Sequence, residues 1–281
     1  MEMKHTLTEW ERENVIRLKE ACDEEGIKYN SIFELAKFVL VTKSVAKDGD
    51  KNADKKRTKA ALKRITKRRE WEASLVAFDT MDPLVAIQAI EEDSPGFMFA
   101  IRAPDKDGRN VVGIDTSNAP FEFTAASPEN ATMFFVAEQY RLDLAAADLE
   151  EARRGIALMP VTNGKMTSGR ALTFLRHLTK FGNQNVKEMH SHRVKKIYAE
   201  VPSLFVPLVG VAKKALPSKI ADRISITGNV DKLMEKYFEG AQDGEEGLLL
   251  DPYTWAADRQ RVFEETVNMV TLEPGGIHSY W

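Results

Sequence analysis

A single cysteine, Cys22, excludes any disulfide framework within the chain. A lone thiol of this kind reads as a small buried hydrophobe. No apolar run approaches the roughly 20 residues that a spanning helix needs, and the opening MEMKHTLTEW has no signal-peptide core. A cytoplasmic protein with peripheral membrane association is the expectation. Signatures of chemistry are equally scarce. There is no Gly-x-Ser-x-Gly elbow to expose a serine nucleophile, and Asn163-Gly164-Lys165 lacks the first glycine of a phosphate loop. Asp48, Asp50 and Asn52 start like a calcium loop, but Ala53 stands where that loop needs glycine and Lys59 where it needs glutamate. His190 and His192 hold a metal only if a third ligand joins them. No pair of groups stands out as an acid and base held for catalysis, so neither an enzyme nor a cofactor or metal site is expected.

What is present is an ordinary soluble composition with an uneven charge. Apolar residues make up 43% and charged residues 30%, enough to bury a sizeable core. The formal charge of -3 hides two poles. Residues 43–69 carry twelve Lys/Arg against three Asp, and residues 239–281 carry nine Asp/Glu against two Arg. Such polarity implies local surface roles. Between them, residues 201–212 read VPSLFVPLVGVA with no charge at all. Arg193, Lys195 and Lys196 precede this run, and Lys213, Lys214, Lys219 and Arg223 follow it. A helix apolar on every side must be covered on every side, and Pro207 either kinks it or sits in its first turn.

Periodicity divides the rest. Thr8 with Glu11 makes a capping box, and Val15, Ile16, Leu18 and Ala21 recur at helical spacing until Gly26 stops the run. Further helices are predicted over 32–45 and 58–78, joined by a polar loop. From Phe97 the period changes: 97–102 and 110–114 flank a Pro-Asp-Lys-Asp-Gly turn, which is hairpin chemistry. A long helix over 128–149, a buried strand over 156–159, a helix over 170–181, a strand at Ile197 and a final strand over 224–227 follow. Strands alternating with helices predict parallel crossovers. A last helix is predicted around 253–270.

Residues 196–229, KIYAEVPSLFVPLVGVAKKALPSKIADRISITGN, resemble the core of a CRAL-TRIO lipid-binding domain: strand, proline-led gate helix, a basic "LxxKIxxRI" segment, and a short strand ending in Gly-Asn. FMFAIRAPDKDGRNVVGI resembles the family's opening hairpin and GIALMP its next strand. Met159-Pro160 stands where the family commonly has an acidic residue, and His192 stands near its headgroup glutamate. The resemblance implies an α/β fold: a CRAL-TRIO-like sheet with flanking helices and a gate helix, preceded by an all-helical N-terminal region. The expected division is 1–92 helical, 93–240 lipid-binding domain, and 241–281 C-terminal helical extension.

Function follows from the same resemblance. It implies one hydrophobic small molecule or phospholipid held in an internal pocket, and transferred or presented at an anionic membrane surface, phosphoinositides among its lipids. The sheet would supply Phe99, Ile101, Ile156 and Leu158 to that pocket. Phe121, Phe123, Phe134, Phe135 and Phe174 would line it further, with Phe205 and Leu208 from the gate. Any α/β protein also needs such residues for plain packing. The gate is read over 202–216, on Pro202, Leu204, Phe205, Leu208, Val209, Ala212 and Leu216. Lys219 and Arg223 match the two basic positions of the family segment, and Arg193 and Lys195 are upstream candidates for headgroup or membrane contact. No cofactor is implied, and nucleic acid is not an expected partner. The alternative is an adaptor module that does not transfer lipid and grips a protein, an anionic membrane or nucleic acid through the lysine-rich 43–69 stretch.

Overall fold

The computed structural model describes residues 4–47, 49–162, 191–207, 210, 218–238 and 249–273. Helix α1 (Glu9–Glu25) begins and ends as its sequence dictates. The Thr8 hydroxyl accepts from the Glu11 N–H, the Glu11 carboxylate accepts from the Thr8 N–H, and Gly26 takes the left-handed φ of 66° that closes the last turn. Helix α2 (Ile32–Thr42), capped by Ser31, and helix α3 (Ala53–Ala73) complete the first helical layer. A further helix, α4 (Pro83–Asp93), was not predicted. Its signal is Asp82-Pro83: the aspartate accepts from Leu84 and Val85 N–H groups, and proline at the first helical position costs no hydrogen bond.

The hairpin forms from β1 (Met98–Ile101) and β2 (Val111–Asp115), antiparallel, with Phe99 opposite Gly113. After α5 (Phe121–Ala126), the helix predicted over 128–149 divides. Helix α6 (Pro128–Ala145) stops, and Asp148 caps a separate α7 (Leu149–Arg154) through a capping box with Glu151. A new cap three residues from a glutamate is a start signal inside an apolar run. Strands β3 (Ile156–Val161), β4 (Val194–Glu200) and β5 (Ile224–Thr227) then add in parallel. Helix α8 (Val230–Tyr237) leads toward a two-residue strand, β6 (Leu249–Leu250), antiparallel to β1, so Ile224–Thr227 is not the last strand. Helix α9 (Pro252–Met269) follows. The sheet order is β5-β4-β3-β2-β1-β6. The helix predicted over 170–181 lies outside the described residues.

Side chains alternate across the sheet and so build two cores. Met98, Ala100, Val112 and Ile156 face a large cluster that also holds Leu18 of α1, Phe33 and Phe38 of α2, Ile87 of α4, Leu144 of α6 and Trp255 of α9. One continuous core therefore takes residues from the N-terminal helices, the sheet and the C-terminal helix. Phe99, Ile101, Val111, Ala157, Met159, Val161 and Tyr198 face the other way, toward Leu233, Met234 and Phe238 at α8. Cys22 is fully buried, and burial pushes its thiol up to about 11, as suits an inert core residue.

Gly113 is where this sheet tolerates least change. A Cβ there would overlap the Phe99 ring and lie 2.8 Å from the Met159 carbonyl oxygen. Gly113→Ala should therefore cost about 1–3 kcal/mol through overpacking, measured as a lower urea midpoint. Adding Phe99→Leu should recover part of the loss. An unchanged midpoint in the single variant would show that the strands part there without cost.

Candidate functional site

A cavity of about 210 Å³ lies at the β1 edge of the sheet, between the two faces and opening onto the second. Its walls are Met98, Phe99, Met159, Val161, Val230 and Leu250. Glu91, at the C-terminal end of α4, and Asp251, the cap of α9, supply its polar edge beside Gly96 and Pro252. Because β1 runs against β2, Met98 lies beside Ile114 at the finishing end of β2, and Val161 finishes β3. The cavity therefore sits where the parallel strands end. At the same end the buried Glu200 carboxylate accepts from the Thr162 N–H at 2.6 Å and from its hydroxyl at 2.7 Å, fixing the last turn of β4 to β3. Tyr198 donates to Asp105 at 2.9 Å, its ring 4.8 Å from that of Tyr237, and so ties the β1–β2 turn to β4 and α8.

Cations gather at the opposite end. Arg193 precedes β4 and donates to the Arg153 carbonyl at 2.9 Å, while Arg223 precedes β5 and donates to the Val194 carbonyl at 3.1 Å. Lys195 lies between, close enough that a Cβ on Gly155 would meet its Cγ at 2.7 Å. Burial first and the Arg223 charge second lower the Arg193 pKa; burial, then Arg193, Arg223 and Arg109, lower that of Lys195. Among the described residues no carboxylate pairs with Arg193, Lys195 or Arg223. Within the described residues this is a concentration of positive charge, roughly 20 Å from the cavity end at about 3.3 Å per strand residue.

No family model matches the chain, and no curated protein matches it in sequence. Solved structures that share the arrangement include the one titled "Crystal structure of Sfh5", a Sec14-family protein, with a TM-score of 0.55 over 86% of this chain and 91% of that one. The fold is of the CRAL-TRIO type. At 11% identity the likeness to Sfh5 is one of fold.

In this CRAL-TRIO sheet the expected pocket residues separate by face. Phe99 lines the cavity and Ile101 belongs to the same buried cluster. Ile156 and Leu158 alternate with Ala157 and Met159, so they point into the helical core instead. Phe123 and Phe134 pack against that core too, with Phe134 centred 5.9 Å from Phe97 and 5.8 Å from Phe135, which in turn meets Trp71 at 5.5 Å. Phe121 starts α5 half-buried. Met159, Val161, Val230, Leu250 and Glu91 were not anticipated. Alternation along MPV would have found the first two; the others depend on how α4, α8 and β6 assemble.

Of the gate, Pro202 is half-buried and leads a 3-10 turn, Ser203–Phe205, on which Leu204 is 81% exposed. Phe174, Leu208, Val209, Ala212 and Leu216 lie outside the described residues, as do the side chains of Phe205 and Lys219. Among the described residues no helix is long and apolar enough to cross a membrane. The basic 43–69 stretch is partly spent inward. Arg57 donates to the carbonyls of Lys43 and Ala46 and stacks over Trp10, and Arg69 pairs with Glu34 and Glu72. Arg68 pairs with Glu72 as well.

Proposed function

We propose that this protein holds a hydrophobic, lipid-like molecule against the second face of its sheet and exchanges it at an anionic membrane. The observation that carries the reading is the apolar cavity over Phe99, Met159 and Val161, at the strand ends from which the exposed Leu204 emerges. The likeness of fold to Sfh5, of a lipid-transfer family, supports it. Hydrophobic binding needs a concave apolar wall with few polar groups, and this cavity offers mostly apolar walls with Glu91 and Asp251 at its edge.

The gate read in the sequence between β4 and β5 is the part of this proposal that covers the guest. Parallel strands begin at one end, so the connection leaves Glu200 beside the cavity and must return to Arg223 at the cationic end. Arg193, Lys195 and Arg223, separated in sequence, therefore meet at one end of the sheet.

Membrane recognition is assigned to Lys195 and Arg223, with Arg193 beside them. Each cation near an anionic surface contributes about 1 kcal/mol, so Lys195→Gln with Arg223→Gln should weaken binding to vesicles containing phosphatidylserine by about 2 kcal/mol, roughly thirtyfold. Wild-type binding should fall as salt rises. The test is vesicle co-sedimentation together with transfer of a fluorescent lipid between vesicles. Unchanged binding and transfer in the double variant would remove this cluster from the mechanism.

A further inference from the structure

The outer face of α3 plays no part in holding a guest. Arg57, Ala61, Ile65, Arg68 and Glu72 are buried and mark the inner side of this helix. At 3.6 residues per turn the opposite side carries Lys55, Lys59, Lys63 and Lys67 in a row, with Lys56 beside it and Glu70 as the one acid among them. Lys56 pairs with Asp50 at 2.6 Å. Lys55 and Lys59 are exposed, and among the described residues no carboxylate pairs with either. A solvated helix face ordinarily mixes its signs, as α1 does with Arg17 at 3.3 Å from Glu13 and Lys19 at 2.6 Å from Asp23. In α3 each four-residue step from Lys55 to Lys67 sets lysine beside lysine instead, and like charges at that spacing weaken a helix. A local choice that works against its own element calls for a partner that answers it.

We propose that this lysine row is a second membrane contact, along which an anionic bilayer lies against α3. The proposal rests on the membrane part of the carrier reading and adds a surface to it, on a helix that packs on α1 and α2. From Lys55 to Lys67 the row is about 18 Å long at 1.5 Å per residue, enough for several headgroups at once. Lysine suits a bilayer, being a compact, strongly hydrated charge that needs no fixed geometry. The arginines that would grip phosphates in a planar fork are committed elsewhere: Arg57 to the Lys43 and Ala46 carbonyls, Arg68 to Glu72, and Arg69 to Glu34 and Glu72. No aromatic side chain stands in the row for a base to stack on, and no large apolar one offers the buried anchor that a protein partner needs.

The test is co-sedimentation of the full chain with phosphatidylcholine vesicles, with and without phosphatidylserine, in about 0.1 M salt, where exposed charges more than about 10 Å apart are largely screened. Lys55→Gln with Lys59→Gln and Lys63→Gln should bind the phosphatidylserine vesicles at least about tenfold more weakly. The triple variant should melt no lower than the wild type, because the repulsion along the row has gone. A polarity-sensitive dye on Glu70→Cys, selective because Cys22 is fully buried, should shift to the blue on those vesicles. Wild-type binding by the triple variant, or a dye that stays in water, overturns the α3 contact and leaves the carrier reading in place. A short DNA duplex that binds more tightly than the vesicles, and is the only ligand the triple variant loses, overturns it in favour of nucleic acid. A wild-type chain that binds neither kind of vesicle overturns the α3 contact and membrane exchange together.

Discussion

Replacing Lys37 with methionine should cost about 3–5 kcal/mol of stability, the usual consequence of stripping one partner from a buried ion pair. Lys37 is 3% exposed, in the middle of an α2 whose neighbours are almost all buried. Its ammonium pairs with Asp143 of α6 and lies 5.0 Å from the centre of the Phe33 ring and 5.2 Å from that of Phe263. His192, just before β4, brings its Nε2 to 3.5 Å from the same Asp143 oxygen and 2.7 Å from the Gln139 amide. Three segments, α2, α6 and the lead into β4, thus meet on one carboxylate. Without the ammonium the aromatic rings lose their cation and Asp143 loses its nearest compensation. Lys37→Met with Asp143→Leu should be milder than the single change, because apolar residues replace a buried pair at little net cost. Urea denaturation of the three variants checks this; a double variant no better than the single would show that the pair is not coupled.

The same cluster sets an acid limit. Burial pushes the Asp143 carboxyl up, but Lys37, then His192 and Arg68, outweigh it and hold the group well below the usual carboxylate range. A carboxyl lowered in the folded state contributes stability above its unfolded pKa of about 3.9. That contribution is lost as pH falls from there toward the folded value. Lys37→Met should flatten this part of the acid-denaturation profile.

Arg141→Met should be comparably damaging, by about 3–5 kcal/mol, or roughly 10 °C in melting temperature at 2–4 °C per kcal/mol. The guanidinium is buried on the helical side of the sheet. One nitrogen donates to the Phe99 carbonyl at 2.9 Å and to the Gly113 carbonyl at 2.7 Å, and another pairs with Glu138 at 2.9 Å. Burial first lowers its pKa, against the attraction of Glu138, which measures how much desolvation the site imposes. Removing it leaves two buried carbonyls short of a donor at the residues that form the cavity floor, for Phe99 lines the cavity from the other face. Faster amide exchange at 98–101 and 111–115 should accompany the loss of stability. Arg141→Lys should not rescue it, since a point charge cannot replace a planar fork. Exchange confined to α6 would show that the arginine secures its own helix and not the sheet.

Much of this fold could be read residue by residue, because its local signals are chemical. Thr8, Glu11 and Gly26 bracket α1, the Pro-Asp-Lys-Asp-Gly turn makes the hairpin, and the apolar run from Ile156 makes a strand buried on both faces. What could not be read depends on assembly. Strand β6 has two residues and no period of its own. Which of Ile156, Ala157, Leu158 and Met159 faces the cavity depends on the register with β2, and Ile156 and Leu158 fall on the far side. Arg193, Lys195 and Arg223 were legible as cations near the apolar run, but their meeting at one end of the sheet required knowing that β4 and β5 are parallel. Lys37 did carry a sign of its partner: a lysine within the apolar run LAKFVL has to be answered by an opposite charge.

Native mass spectrometry of the purified protein after exposure to a cellular lipid extract tests the carrier reading most directly. The account predicts one bound apolar molecule per chain, retained in buffer and released on adding anionic vesicles. A chain that emerges without a guest after that exposure, and stays so with every extract offered, would contradict it.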